Sequence, residues 1–154
     1  MNFEDVALKA NYSYSDKVIE LRDKGICDLV GIDKFKNLSI LSLQGNNISD
    51  ISKLKGLDFE YLNLKFNPLR DISVLKDSKI GVLVLNRTII DVTENNIETL
   101  FHLFKKGVEI DLGGTNFRKI DSKIKESLIN KKYINPLLFF EDEKTIKRRY
   151  RIIV

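Results

Sequence analysis

The sequence contains one cysteine and no long apolar run, and each shortage argues against a class of protein. The lone Cys27 cannot form an intramolecular disulfide and suits a reducing compartment. No stretch of about 20 uninterrupted apolar residues occurs, so the sequence predicts no membrane-spanning helix and no membrane partner. Glu4 and Asp5 stand where a secretory signal would carry positive charge. We therefore expect a cytoplasmic protein.

Side chains that carry catalysis are equally scarce. His102 is the one histidine and falls inside a predicted helix, and Cys27 has no histidine near it in sequence. Gly113 and Gly114 lack the rest of a phosphate-binding signature. Clusters of residues with metal-ligand spacing do not occur. The sequence thus predicts a protein that is not an enzyme, with no catalytic residue, no metal site and no cofactor.

The net charge of +4 comes entirely from one end of the chain. Residues 1–143 hold 21 Lys and Arg against 22 Asp and Glu, whereas residues 144–154 hold five cations and no acid. Any preference for an anionic partner should therefore reside in this basic tail. Its cations are Lys144, Lys147, Arg148, Arg149 and Arg151.

Apolar residues recur with a period of 21 or 22 residues. Residues 38–57 follow the pattern LxxLxLxxNxIxxIxxLxxL, and residues 59–75 repeat it 21 positions later. Residues 19–35 precede it in the same phase, and residues 80–90 and 108–120 continue it. A single repeat could not bury its apolar residues, whereas stacked repeats bury them against one another.

Each repeat begins with an alternating stretch that predicts a short strand, and it continues with irregularly spaced apolar residues that suit a loop or 3₁₀ turn. The sequence therefore predicts an α/β fold, a short right-handed solenoid with a parallel strand ladder on its concave face. We expect a single domain. It should comprise a helical cap at residues 1–16, about five repeats at 17–121, and a C-terminal cap of a helix and a hairpin at 122–154.

One polar position recurs inside the repeat. Asn46 and Asn67 can each offer a donor and an acceptor to backbone groups that are left unpaired where the chain turns into the core. Thr88 and Thr115 occupy this position in later repeats, and Lys24 occupies it in the first, where burial of a lysine is not expected. We predict that both asparagines are buried and hydrogen-bonded.

The period and the ending NxIxDIxxLxxL resemble the leucine-rich repeats of the protein-phosphatase regulatory subunit and of bacterial internalins. The resemblance covers roughly residues 17–121, with close matches at 46–57 and 67–75. It implies a protein-binding scaffold without identifying the ligand. The fourth repeat departs from the pattern, because Leu85 and Leu112 are 27 residues apart.

A helix accounts for the longer fourth repeat. Thr93 can cap its start and Gly107 can close its end. Residues 2–10 should form a second amphipathic helix, which covers the open end of the first repeat. The apolar faces are expected to contain Phe3, Val6, Ala7 and Ala10 in the N-terminal helix, and Ile97, Leu100, Phe101 and Phe104 in the inserted one.

Strand residues that alternate with the core leucines should point out of the concave face. Tyr61 and Phe66 are favoured as contact residues, because exposed aromatic side chains in adjacent strand positions are typical of a binding hot spot, and Lys65 lies between them. Polar residues of neighbouring repeats and cations of the hairpin should surround them. The full set of candidate partner-binding residues is Arg22, Gln44, Tyr61, Asn63, Lys65, Phe66, Asn86, Arg87, Lys147, Arg149 and Arg151.

Two functions are consistent with this pattern. The first is a protein-binding adaptor, regulator or inhibitor. It would use the concave face together with the basic hairpin, because five strands offer about 400 Å² whereas a stable interface buries about 800 Å² per partner. The second is binding of nucleic acid or another polyanion through residues 144–151, which we rank lower because charge runs at chain ends are more often solvated. A free apolar edge on the last strand would also allow a homodimer.

Overall fold

A computed structural model describes residues 1–119 and 152–153 of the chain. Its centre is a parallel sheet of six short strands, whose order in the sheet equals their order in the sequence. With two helices added, the predicted α/β class is confirmed. The strands are β1 (Val18–Glu20), β2 (Ile40–Ser42), β3 (Phe59–Asn63), β4 (Ile80–Val84), β5 (Glu109–Asp111) and β6 (Ile152–Ile153).

The first five strands are paired in the same register at one core residue each. Ile19 pairs with Leu41, Leu41 with Leu62, Leu62 with Leu83, and Leu83 with Ile110. All of these side chains are fully buried. Alternate residues of a strand point to opposite faces, and here one face packs against the return segments, which are the stretches of chain that lead from one strand to the next. One strand together with the return segment that follows it is called a turn. The recurring apolar residues of the sequence thus form one continuous row.

The return segment of a turn contains a short 3₁₀ helix, as the irregular apolar spacing predicts. An aspartate introduces it in two turns: Asp50 Oδ1 accepts from Ser52 N at 2.7 Å, and Asp71 Oδ1 accepts from Ser73 N at 2.8 Å. The hydrogen bond from the Ser52 backbone lowers the pKa of the Asp50 carboxyl, because it stabilises the charged form. The 3₁₀ helices are Ile32–Lys34, Ser52–Leu54, Ser73–Leu75 and Asn116–Lys119.

The recurring asparagine position, called the ladder position, is buried and joins consecutive turns, as predicted. At this position Asn46 is 3% exposed. Its Oδ1 accepts from Lys24 N and Ile26 N, both at 3.0 Å. Its Nδ2 donates to Leu21 O at 2.7 Å and to Leu43 O at 2.8 Å. One side chain therefore serves two backbone donors and two backbone acceptors.

Asn67 repeats this arrangement one turn later. Its Oδ1 accepts from Ile48 N at 3.1 Å, and its Nδ2 donates to Leu43 O at 2.9 Å and to Leu64 O at 3.0 Å. Each asparagine connects the backbone of its own turn to the preceding one. It does so inside a core where an unpaired backbone group costs about 1–3 kcal/mol.

In the following turn the ladder role passes to a residue that the sequence pattern did not reveal. Thr88 Oγ1 donates to Leu85 O at 2.7 Å, a bond within its own turn. The connection to the preceding turn is made by Asn96, whose Oδ1 accepts from Ile72 N at 2.9 Å and whose Nδ2 donates to Arg70 O at 2.8 Å. Asn96 is 1% exposed and belongs to the inserted helix.

That helix, α2 (Glu94–Lys105), has the predicted ends. Thr93 Oγ1 accepts from Asn96 N at 3.2 Å at the start, and the chain leaves the helix through Gly107, whose φ is +84°. Glycine adopts this left-handed conformation without the steric cost that other residues meet. Local capping chemistry therefore sets both ends of the insertion.

The buried side of α2 differs in part from the prediction. Ile97 and Leu100 are buried as expected, but Phe101 and Phe104 are half-buried and Leu103 is fully buried in their place. Asn96, in the first helical turn, must reach the backbone of the preceding repeat. The side of α2 that faces the core therefore contains Asn96 and the residues three, four and seven positions after it, which include Leu100 and Leu103.

The N-terminal helix α1 (Phe3–Lys9) covers the first turn, as predicted. The Phe3 ring packs edge-on against Phe35, with 5.2 Å between the ring centroids. Three of the four apolar residues predicted for its inner side are buried, but Ala10 is exposed. The reason is that α1 ends at Lys9 and the chain turns away there.

A polar cluster also ties α1 to the first turn. Lys34 Nζ donates to both carboxylate oxygens of Glu4, at 2.8 and 2.9 Å, and Tyr14 OH donates to Oε1 at 2.5 Å. These bonds, led by that from Lys34, hold the pKa of the Glu4 carboxyl below its usual value. The same contacts with Glu4 raise the pKa values of Lys34 and Tyr14.

The C-terminal cap is described only at its last strand. In β6, Ile152 pairs with Ile110 and Ile153 with Asp111, so this strand runs parallel to β5 at the edge of the sheet. The sequence predicted it as one strand of a hairpin. The rest of that hairpin, and the helix predicted at residues 122–132, lie outside the described residues.

Candidate binding face

The side of the sheet that points away from the core is called the open face, and its first row of side chains is apolar. Val18, Ile40, Tyr61 and Val82 are aligned by the strand register. Val18 is 46% exposed and the other three are half-buried. The sequence carried a signal for this row, because an apolar residue directly precedes the core residue of each of these four strands. An apolar strip therefore crosses four strands.

The second row of the open face is mostly polar and includes Asn63, a predicted contact residue. Asn63 is 8% exposed, and its Oδ1 accepts from Lys65 N at 3.0 Å. Asp111 does the same in its own strand, where its Oδ1 accepts from Gly113 N at 3.1 Å. Both side chains fold back onto the strand end, so Asn63 offers little surface to a partner.

The third row lies just beyond the strand ends and contains four predicted contact residues. Backbone hydrogen bonds between neighbouring turns continue the strand pairing there: Asp23 N donates to Gln44 O at 3.0 Å, Gly45 N to Lys65 O at 2.9 Å, and Phe66 N to Asn86 O at 3.0 Å. Neighbouring side chains of the row are therefore one strand spacing apart, about 4.8 Å. The row consists of Arg22, Gln44, Lys65, Asn86 and Gly113.

One residue further on, each turn has a backbone in the left-handed conformation. We call this the exit position, because the chain leaves the sheet there and the ladder position follows directly. Two of its five residues are glycine, which meets no steric cost at positive φ, whereas the other three carry side chains. The φ values are +54° at Asp23, +71° at Gly45, +56° at Phe66, +52° at Arg87 and +70° at Gly114.

Phe66 is the bulkiest residue at an exit position, and it is 44% exposed. The Nζ of Lys65 lies 5.1 Å from the centre of its ring, and the Cζ of Arg87 lies 5.7 Å from it. Both distances are within the range of a cation–π interaction. We call these three residues the Phe66 cluster. The sequence predicts Phe66 at a strand position, but β3 ends at Asn63 and Phe66 stands on the turn.

The small exit residues make room for the side chains of the preceding turn. A Cβ at Gly45 would overlap the Asp23 carboxylate, and a Cβ at Gly114 would come within 2.9 Å of Arg87 Cγ. Side chains at Asp23 and Arg87 thus lie across the next turn toward the C-terminus. The exit positions form one connected strip along the edge of the open face.

The cations of this strip differ in their partners. Arg22 Nε is 2.9 Å from Asp23 Oδ2, so its charge is paired. Within residues 1–119, neither Lys65 nor Arg87 forms an ion pair. Asn86, in the same row as Lys65, has a buried Oδ1 without a hydrogen-bond partner in the described part of the chain. The middle of this strip and the neighbouring third row thus hold two positive charges without a counter-ion among residues 1–119.

The structure brings together most of the residues that the sequence singled out. Seven of the eight that are described are exposed or half-buried on the open face or along its edge, and Asn63 is the buried exception. The predicted hairpin contacts lie outside the described residues, so the structure neither joins them to this face nor separates them from it. They are Lys147, Arg149 and Arg151.

Other features of the described residues offer less chemistry. An open groove of about 750 Å³ lies at the opposite end of β3 and β4, lined in part by Phe59, Lys79 and Lys106. Residues 1–119 contain no group of three or more His, Cys, Asp or Glu side chains that is placed to hold a metal ion. Over the same residues, neither helix has the length and apolar character needed to cross a bilayer.

Comparison with known proteins adds no relative: no protein-family model matches the sequence, and no curated protein matches it.

Proposed function

We propose that the chain is a non-catalytic protein-binding module whose open face contacts its partner around Phe66. One observation carries this proposal: an aromatic ring that is 44% exposed belongs to a residue with a φ of +56°. The left-handed conformation costs a non-glycine residue about 1–2 kcal/mol. Backbone strain of this kind clusters at functional sites, and exposed aromatic side chains are typical of binding hot spots.

Folding alone does not account for this ring. Its contacts with Lys65 and Arg87 are exposed cation–π interactions, each of which stabilises by about 0.5–1 kcal/mol. Gly45 and Gly114 occupy the equivalent position in other turns, so the backbone of the turn forms without a ring. The stabilising contacts and the conformational cost are therefore similar in size, and the exposed ring area is left available for a partner.

We further infer that the module is a leucine-rich-repeat solenoid, of the type found in the protein-phosphatase regulatory subunit and in internalins. Support comes from strands that are parallel and follow sequence order, and from buried asparagines that join successive turns. The partner is then another protein, and the chain acts as an adaptor, regulator or inhibitor in the cytoplasm. A contribution from the basic tail and a homodimer through the last strand stay predictions.

A pull-down from a lysate of the source cells tests this function, with wild type, Phe66→Gly and Val30→Ala as baits. Phe66→Gly removes the ring and relieves the backbone, so the bait stays folded. Val30→Ala is the matched control, because Val30 is also apolar and 49% exposed but lies in the return segment of the first turn. We expect a protein that wild type and Val30→Ala retain at high salt and that Phe66→Gly loses.

Two outcomes would contradict the proposal. Equal retention by all three baits would remove Phe66 from the binding site. Recovery that nuclease abolishes and that Phe66→Gly leaves unchanged would move the function to the basic tail and to nucleic acid, whose binding weakens steeply with salt. If wild type captures a protein, that protein is purified and its dissociation constant is measured for each of the three baits.

A further inference from the structure

We propose that the Phe66 cluster binds an acidic side chain of the protein partner, presented on an extended segment whose neighbouring apolar residues cover the apolar row. This inference rests on the proposed function and names the chemistry of its ligand. It combines two observations on the open face and its edge: a pair of cations without counter-ions among the described residues, and an apolar strip that precedes them along the strands.

The cations define the acidic half of the ligand. Lys65 and Arg87 both lie within 6 Å of the centre of the Phe66 ring, and neither has a carboxylate partner among the described residues. Two exposed arginines elsewhere among the described residues do have one: Arg22 pairs with Asp23, and Arg70 pairs with Asp91 at 3.0 Å. A carboxylate between the two cations would accept charge-assisted hydrogen bonds from both, and the adjoining ring would limit competition from water.

The apolar row defines the rest of the ligand. Tyr61 belongs to this row and Lys65 to the cluster, and four residue spacings of extended chain, about 13 Å, separate them. A ligand segment that runs along the strand direction has the same rise. An aliphatic or aromatic residue placed about three to five positions from the acidic residue would therefore reach Tyr61 and Ile40 or Val82.

The surrounding charges favour a protein segment over a nucleic acid. Acidic residues flank the central cations in both directions across the sheet: Glu20 and Asp23 on the β1 side, and Glu109 and Asp111 on the β5 side. Strands lie about 4.8 Å apart, so Asp23, two turns before Phe66 in the exit strip, is about 10 Å from it, which is about one Debye length. A continuous phosphate backbone that crossed the strands would meet repulsion at each end, whereas one isolated carboxylate would not.

Selection of short peptides on the immobilised, folded chain tests the inference whether or not the partner has been identified. The probe is a random ten-residue peptide display library, and single-stranded oligo(dT) serves as the polyanion probe. Lys65→Met/Arg87→Met removes both charges and keeps the side-chain stems. Lys53→Met/Lys55→Met removes the same charge from the exposed return segment of the second turn and is the matched control.

We expect recovered peptides to contain Asp or Glu about three to five positions from an aliphatic or aromatic residue. Their dissociation constants should rise by about tenfold or more in Lys65→Met/Arg87→Met. A similar rise is expected when the Asp or Glu of the peptide is replaced by Asn or Gln. The dissociation constants should not change in the control, Lys53→Met/Lys55→Met. Thermal unfolding of wild type, Phe66→Gly and the two double variants checks that all four proteins are folded. We expect that they are, since each substituted side chain lies at least partly in solvent.

The other outcomes overturn the inference in distinguishable ways. Recovery of peptides without an acidic residue, or of peptides that bind Lys65→Met/Arg87→Met as tightly as wild type, would reject the acidic ligand. The proposed function would still stand if Phe66→Gly abolished the binding of these peptides. Binding of oligo(dT) that is lost in Lys65→Met/Arg87→Met assigns the cluster to nucleic acid instead. No peptide recovered above the blank, or binding indifferent to Phe66→Gly, rejects both the inference and the proposed function.

Discussion

The exit position and the ladder position are adjacent in the sequence of every turn, yet opposite constraints act on them. At the ladder position, Asn46 and Asn67 have the same identity and nearly the same hydrogen bonds. At the exit position the backbone conformation is the same in five turns, but the residues include an aspartate, two glycines, a phenylalanine and an arginine. The buried ladder residues are thus amides or a hydroxyl that bond to backbone, whereas the exit residues range from glycine to charged and aromatic side chains on a fixed backbone.

The difference follows from what each side chain touches. The ladder side chain faces backbone groups that no water can reach, so only a residue with both a donor and an acceptor satisfies them. The exit side chain faces solvent, so folding constrains its φ and, where the side chain of the preceding turn needs room, its size, but not its polarity. A residue that folding alone would disfavour, such as Phe66, is therefore the place to look for a function.

The largest expected change in stability comes from removing an asparagine of the ladder position. Asn46→Ala leaves two backbone N–H groups and the Leu21 carbonyl oxygen without their buried partner, whereas the Leu43 carbonyl keeps its bond from Asn67. The substitution should lower the free energy of unfolding by about 1–3 kcal/mol. Chemical denaturation measures the change. Asn47→Ala is the control, because Asn47 is exposed and its loss should change the free energy by less than about 0.5 kcal/mol. Equal midpoints for the two variants would reject the structural role of Asn46.

A second substitution sharpens the comparison by asking whether α2 supplies a true ladder residue. Asn96→Ala should also destabilise by about 1–3 kcal/mol, but by less than Asn46→Ala, because one fewer backbone N–H loses its acceptor. Asn95→Ala, at an exposed position of the same helix, should be neutral or slightly stabilising, since alanine favours helix. Similar values for both variants would show that the insertion carries no ladder bond.

Substitution at the exit position should reverse the usual order of glycine and alanine. Phe66→Gly should be more stable than Phe66→Ala by about 1 kcal/mol, because alanine keeps the steric cost of the positive φ and glycine does not. Equilibrium denaturation of the two variants provides the comparison. If alanine proved equal or better, Phe66 would not have the left-handed backbone on which its functional assignment depends.

The smallest expected effect concerns acid sensitivity at the N-terminal cap. The Lys34 and Tyr14 hydrogen bonds depress the pKa of Glu4, so its contribution is present above the usual value of 4.5 and is lost as the pH falls below it. Glu4→Gln should therefore flatten the fall in melting temperature below that pH. The effect is small, because Lys34 is more than half exposed. Parallel melting curves for wild type and variant would remove the cluster from the account of acid stability.

Much of this comparison was readable from the sequence. The period of the leucines placed the strands and the core row, and the amide chemistry of Asn46 and Asn67 predicted their burial. Asn96 was missed because it lies in the helix that interrupts the period, where a hydrogen bond between distant segments leaves no local pattern. Phe66 was found as an aromatic contact, but its backbone conformation was not, since no glycine or asparagine stands at its exit position to mark the turn.

The most direct test of the central claim measures folding and binding on one preparation of Phe66→Gly. We predict a free energy of unfolding within about 1 kcal/mol of wild type, together with loss of affinity for the protein that wild type captures. A free energy lower by about 3–5 kcal/mol with affinity unchanged would contradict the claim, because that is the behaviour of an aromatic residue that serves the core.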